Sequence, residues 1–168
     1  MSTWALPSSP DSFFRMARKK GLASPQAQLQ SFNISLAAGW NLISIPLVPA
    51  DTAPTSVFSS ASGNYSRVQA YNNCDVADPW KEFDPGNPGA ADLTALDPKI
   101  GFWINVTSAT TLAVNGSSQP NTNIPLCTGW NLIGYPLSVA LPVTTALASI
   151  AGKYSRVYGY DAFVATSP

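Results

Sequence analysis

Four carboxylates crowd one stretch of the chain. Asp75, Asp78, Glu82 and Asp84 fall within ten positions, and Asp92 and Asp97 follow. Carboxylate pairs are the main acid–base resource here, because the 168 residues include no histidine. That removes the commonest general base and the commonest zinc ligand. Ser-His-Asp and Cys-His sites are excluded. A glycosidase would need two carboxyls about 5–9.5 Å apart across a sugar cleft. No spacing in this stretch imposes that, and no activated nucleophile stands out. We therefore expect no catalytic residue and no enzyme. Asp75, Asp78 and Asp84 are the best calcium candidates. Calcium takes six to eight oxygen ligands, and the spacing matches no EF-hand. A solvated acidic loop is the plainer reading, with no metal or other cofactor.

Aromatic residues offer a second chemistry. Trp80, Trp103, Tyr71, Tyr158 and Tyr160 are candidate sugar platforms, with Asn and Asp nearby for hydroxyl groups. Large aromatics in a small β domain also serve as core. Cys74 and Cys127 cannot make a structural zinc site alone. They either pair in one disulfide or remain buried thiols. Acceptor patterns for N-glycans occur at Asn33, Asn64, Asn105 and Asn115,. Asn115, at an expected Asn-Gly turn, is the preferred one.

The elements that must carry these groups are organised around a repeated word. Gly39-Trp40-Asn41-Leu42-Ile43-Ser44-Ile45-Pro46-Leu47 returns as Gly129-Trp130-Asn131-Leu132-Ile133-Gly134-Tyr135-Pro136-Leu137. Tyr65-Ser66-Arg67-Val68 returns as Tyr154-Ser155-Arg156-Val157. Two matched words at nearly one offset indicate an internal duplication. Alternation predicts strands over 31–36, 40–45, 65–71, 100–106 and 110–115. Both faces of 40–45 are apolar, so that strand is expected to be central, with Trp40 and Trp130 in the core. Tyr65, Arg67, Gln69 and Tyr71 are expected on one face. Residues 54–63 and 142–152 each read as a short helix ended by glycine, the second being the better former. Residues 72–97 read as an irregular loop that seats Trp80, and 117–123 as a linker. The second copy is expected to hold about three strands and one helix. Nothing in it corresponds to 100–115.

Charged residues make up only 11% of the chain, against roughly 25% in an average soluble domain. From Ser31 onward there are five basic and eight acidic residues. That balance excludes a nucleic-acid partner. Arg15, Arg18, Lys19 and Lys20 make the start of the chain basic. A short helix over 11–20, in a leader-like or flexible segment, is expected there. No apolar run is long enough to span a bilayer.

Taken together, the words Gly-Trp-Asn-Leu-Ile-Ser-Ile-Pro, Tyr-Ser-Arg-Val, Leu93-x-x-Leu96-Asp97-Pro98-x-x-Gly101-Phe102-Trp103-Ile104 and Thr111-Leu112-x-Val114-x-Gly116 resemble a β-rich repeat of secreted and cell-surface bacterial and archaeal proteins. The resemblance covers 36–116 in full and 126–161 in part. It implies a surface or matrix setting with a scaffolding or binding role, and it supplies no catalytic residue. The expected fold is all-β, mainly antiparallel and sandwich-like, with one short helix per repeat. The expected divisions are a basic segment over 1–31, a first repeat over 32–119 and an incomplete second repeat over 120–168. The expected function is an extracellular structural or adhesion protein that self-associates, forming a surface or filament subunit. The alternative is a carbohydrate-binding module. Expected partners are further copies of the chain, glycans or other surface proteins. Strand addition is the expected mode, at an open edge flanked by Leu132, Ile133, Val157 and Phe163, with Phe32–Leu36 as donor. The other outcome is a second repeat docked on the first.

Overall fold

The computed structural model describes residues 28–119 and 121–164. The expected helix over 11–20 lies outside them. Among the described residues, seven strands form two antiparallel sheets. They are β1 (Gln30–Leu36), β2 (Gly39–Ile43), β3 (Leu47–Val48), β4 (Tyr65–Tyr71), β5 (Trp80–Phe83), β6 (Phe102–Val106) and β7 (Thr110–Ser118). One sheet runs β1-β7-β3 and the other β2-β6-β4-β5. No helix among the described residues is long and apolar enough to cross a membrane.

The same short stretch supplies an inner strand to each sheet. β7 lies between β1 and β3, and β6 lies between β2 and β4. Both read clearly in sequence. Phe102, Ile104 and Val106 alternate inward along β6, and Leu112 and Val114 along β7,. Thr107 caps the turn between them by donating its N–H to the Asn64 carbonyl at 2.8 Å.

Residues from both sheets share one buried cluster. α1 (Pro54–Val57) and the 3-10 turn Ser59–Ala61 close it. Proline at the first helical position has no N–H to leave unpaired. Asp51 receives the Ser56 hydroxyl at 2.6 Å and the Ala53 N–H at 3.0 Å. These bonds hold its carboxyl below the usual carboxylate range, the hydroxyl more than the N–H. Phe58 packs against Tyr65 and Phe102, with ring centroids 5.2 and 5.6 Å away. Truncating a buried phenylalanine such as Phe102 costs about 3–5 kcal/mol.

Several expectations are corrected here. β2 is an edge strand, paired only with β6. Its inward residue is Asn41, 2% exposed, so Trp40 points outward at 37% exposure and is not core. A bulge between Tyr65 and Arg67 turns Tyr65 inward, away from the face shared by Arg67 and Gln69,. That burial pushes the Tyr65 hydroxyl pKa up. The 72–97 loop contains the strand β5, and Trp80 at its start is exposed. Asn115-Gly116 is not a turn. β7 runs through it to Ser118, and so includes the first residues of the expected linker. Gly116 is there for space: a Cβ would strike the Val48 carbonyl.

The largest departure is in residues 121–164. The expected strands are absent among these residues. α2 (Val143–Ala146) and the 3-10 turn Ala148–Ile150 match the first helical pair in length, so the second helix is no better formed. None of their residues is buried. Among the described residues, all 17 buried hydrophobic residues lie from Leu36 to Val114.

Candidate functional site

Residues 124–164 repeat the local geometry of the first half without its packing. Asn41 Oδ1 accepts the Ala37 N–H at 2.9 Å, and its Nδ2 donates to Ala37 O and Gly39 O at 2.8 and 3.1 Å. Asn131 makes the same three bonds, to Cys127 N–H, Cys127 O and Gly129 O, at 3.0, 2.7 and 3.0 Å. Gly39 and Gly129 both take positive φ, 92° and 105°, which only glycine adopts without strain,. The sequence word Gly-Trp-Asn therefore codes a side-chain-braced turn. It does not by itself code a strand.

The two halves differ at the inner strand β6. In the first half, the Gly-Trp-Asn strand and the Tyr-Ser-Arg-Val strand never pair with each other; each pairs with β6. Nothing in 124–164 corresponds to β6 or β7. Two strands without a third and a shared core are marginal in water. The side chains accordingly stay exposed. Val68 is 0% exposed and its counterpart Val157 is 50%. Of the 16 exposed large hydrophobics among the described residues, 12 lie from Leu126 onward. Trp130, at 61%, corrects the expectation that it is core. It packs only loosely on Tyr158, with ring centroids 5.5 Å apart.

The segment is nevertheless fastened to the body at several points. Cys74 and Cys127 form the disulfide. Asn73 Nδ2 donates to Thr128 O at 2.8 Å beside it. Where β2 leaves β6 after the Ile43–Phe102 pair, Ile133 takes up antiparallel pairing at Ile100. Gly134 N–H donates to Lys99 O at 2.8 Å, and Tyr135 N–H to Ser44 Oγ at 3.0 Å. Gly101 and Gly134 permit this approach: a Cβ on Gly101 would lie 2.6 Å from Ile133 O, and one on Gly134 would strike Pro98 O. Tyr160 meets Trp103 edge-on at 5.0 Å. The proposed donor strand 32–36 is not free, since β1 pairs over its whole length with β7.

Comparison with known proteins matches the chain to no protein family, no curated protein and no solved structure.

The other candidate residues separate into groups. Asp75 and Asp78 converge, but on Lys81, whose Nζ lies 3.2 and 2.7 Å from their carboxylates and 4.0 Å from Asp92. The lysine fills the place a cation would take. The Lys81 bond, helped by the Asp78 N–H, holds Asp75 below the usual range; Asp78 first and then Asp75 raise Lys81. Asp84 is elsewhere, with its Oδ1 accepting the Gly86 N–H at 2.7 Å. Tyr71 and Trp80 pack together at 4.9 Å at one corner of the four-stranded sheet, and Tyr158 lies exposed. The five candidates thus fall into two separate pairs, Tyr71–Trp80 and Trp103–Tyr160, with Tyr158 set against Trp130, rather than into one platform. Asn115 is exposed on β7, and Asn64 Oδ1 is taken by the Ser108 hydroxyl at 2.8 Å.

Sequence reasoning missed a cleft of about 450 Å³ on the solvent face of the four-stranded sheet. Trp40, Arg67, Asp84 and Asn105 are among its lining residues. The signal was present in the alternation of Gly39–Ile43. What decided the direction was Asn41, a polar residue that needs a partner and finds three.

Proposed function

We propose that this chain is an extracellular structural protein that self-associates at a cell surface or in a matrix, and that residues 124–164 are its assembly surface. In this reading 124–164 is the second unit of a duplication, and the first unit is a small sandwich. The carrying observation is the contrast between Val68 and Val157 and their neighbours: matched words, matched turns, opposite exposure. An exposed apolar segment with unpaired backbone groups is a template for further strands. Only Lys153, Arg156 and Asp161 charge it. The disulfide supports an oxidising setting,.

Since β1 is in use within the chain, the occupant is the second unit of another copy. Two such units bring four strand-forming segments and two sets of apolar side chains together. Pairing of like with like closes a dimer; growth into a filament needs unlike segments to pair head to tail. Sedimentation velocity over a range of concentrations tests the proposal. The intact chain should associate, and Val157→Asp combined with Trp130→Ser should be monomeric with the body's stability unchanged. A wild-type chain that stays monomeric throughout overturns it.

A further inference from the structure

We propose that the cleft lined by Trp40, Arg67, Asp84 and Asn105 binds a neutral carbohydrate chain. This goes beyond the assembly reading and uses a different face. The sheet register places Trp40 opposite Asn105, and Asn105 opposite Arg67. Adjacent strands lie about 4.8 Å apart, so the row extends across roughly 10 Å of sheet surface. The Asp84–Gly86 turn forms part of the lining.

The chemistry along this row is graded from apolar to polar. Trp40 is 37% exposed and supplies an indole for the apolar side of a sugar ring,. Arg67 Nε is held by Glu82 Oε1 at 3.2 Å. Glu82 Oε2 in turn accepts from Gln69 Nε2 at 3.0 Å, which fixes the pair on the sheet. Among the described residues, the terminal guanidinium nitrogens of Arg67, Asp84 Oδ2 and the Asn105 amide make no hydrogen bond within the protein. The cleft thus offers donors, an acceptor carboxylate and an amide that is both. Hydroxyl groups both donate and accept, so they match this mixture.

Charge selects among ligands. The one arginine is already matched by Glu82, and Asp84 adds a negative charge, so an anionic polymer gains nothing here. A cation would face Arg67. A neutral ligand with apolar ring faces and a hydroxyl rim fits both the indole and the polar row.

The test is native affinity electrophoresis of the intact, disulfide-bonded chain. Gels contain a mixed-linkage β-glucan, a galactomannan, an arabinoxylan or a soluble α-glucan, with heparin as the anionic comparison. At least one neutral polymer should retard the protein. Trp40→Ala should weaken that retardation at least about tenfold, as loss of a central aromatic anchor does. Asp84→Ala should weaken it several-fold, and its half-buried place in the Asp84–Gly86 turn, outside the core, keeps the fold intact should Trp40→Ala not fold. Trp130→Ala and Trp80→Ala should leave it unchanged. The proposal is overturned if no neutral polymer retards the wild type, if heparin alone does, or if retardation survives Asp84→Ala and any folded Trp40→Ala protein.

Discussion

Replacing Asn41 and Asn131 by alanine, one at a time, separates local geometry from packing. The two side chains make the same three hydrogen bonds within about 0.1 Å. Asn41 is 2% exposed, whereas the bonds of Asn131 are open to solvent. An intramolecular hydrogen bond contributes about 1 kcal/mol net, and a buried partner left unpaired costs more. Asn41→Ala loses three such bonds and leaves a small void, so it should destabilise by about 3 kcal/mol. Water replaces the partners of Asn131, and Asn131→Ala should cost roughly 0.5 kcal/mol. Urea unfolding reads the difference. With a slope of about 1.5 kcal/mol/M, Asn41→Ala should lower the midpoint by about 2 M and Asn131→Ala by about 0.3 M. Equal shifts would refute the reasoning, because they would mean that 124–164 shares the cooperative core.

Removing the disulfide with Cys74→Ser and Cys127→Ser opens a loop of 53 residues' separation that contains β5, β6 and β7; urea unfolding should show a loss of about 4 kcal/mol on the chain-entropy argument. Gly134→Ala should detach residues 124–164 from the Pro98–Ile100 edge, seen as faster proteolysis there with little change in the body's urea midpoint. Stability measured against pH should stay level from about pH 5 to 9, since no histidine titrates there,. Asp51 and Asp75 have lowered pKa values in the fold, so their contribution is present above the ordinary carboxylate range and is lost as pH falls through the folded values,. Lys81 and Tyr65 are raised, so theirs is present below their ordinary values and is lost as pH rises above about 10,.

Much of the first half was legible because β1, β4, β6 and β7 alternate cleanly and sit between turn residues. The pairing of Cys74 with Cys127 was legible as one of two outcomes. Periodicity groups the residues of β2 into two faces, but it cannot say which face is inward. Trp40 looked like core by size, and the buried Asn41 reversed the assignment. The Tyr65 bulge adds one residue to a strand whose letters alternate normally, so nothing in the sequence marks it. The second half misled for a different reason. Its words are those of strands in the first half, yet those strands exist only because β6 runs between them. The candidate site shows the same limit. Asp75 and Asp78 read first as a solvated acidic loop and only second as a calcium site, and neither reading showed that they hold Lys81, from the strand that the loop concealed. The Trp40 cleft draws on three strands and a turn, which no single stretch of sequence displays.

The central claim is that residues 124–164 become structured against another copy of the chain. Amide hydrogen exchange at Leu132, Ile133, Val157 and Tyr158, followed as protein concentration rises, tests it most directly. The account predicts fast exchange in dilute solution and protection that grows with concentration, while β6 and β7 stay protected throughout. Exchange at these four amides that is independent of concentration, whether fast or slow, would contradict it.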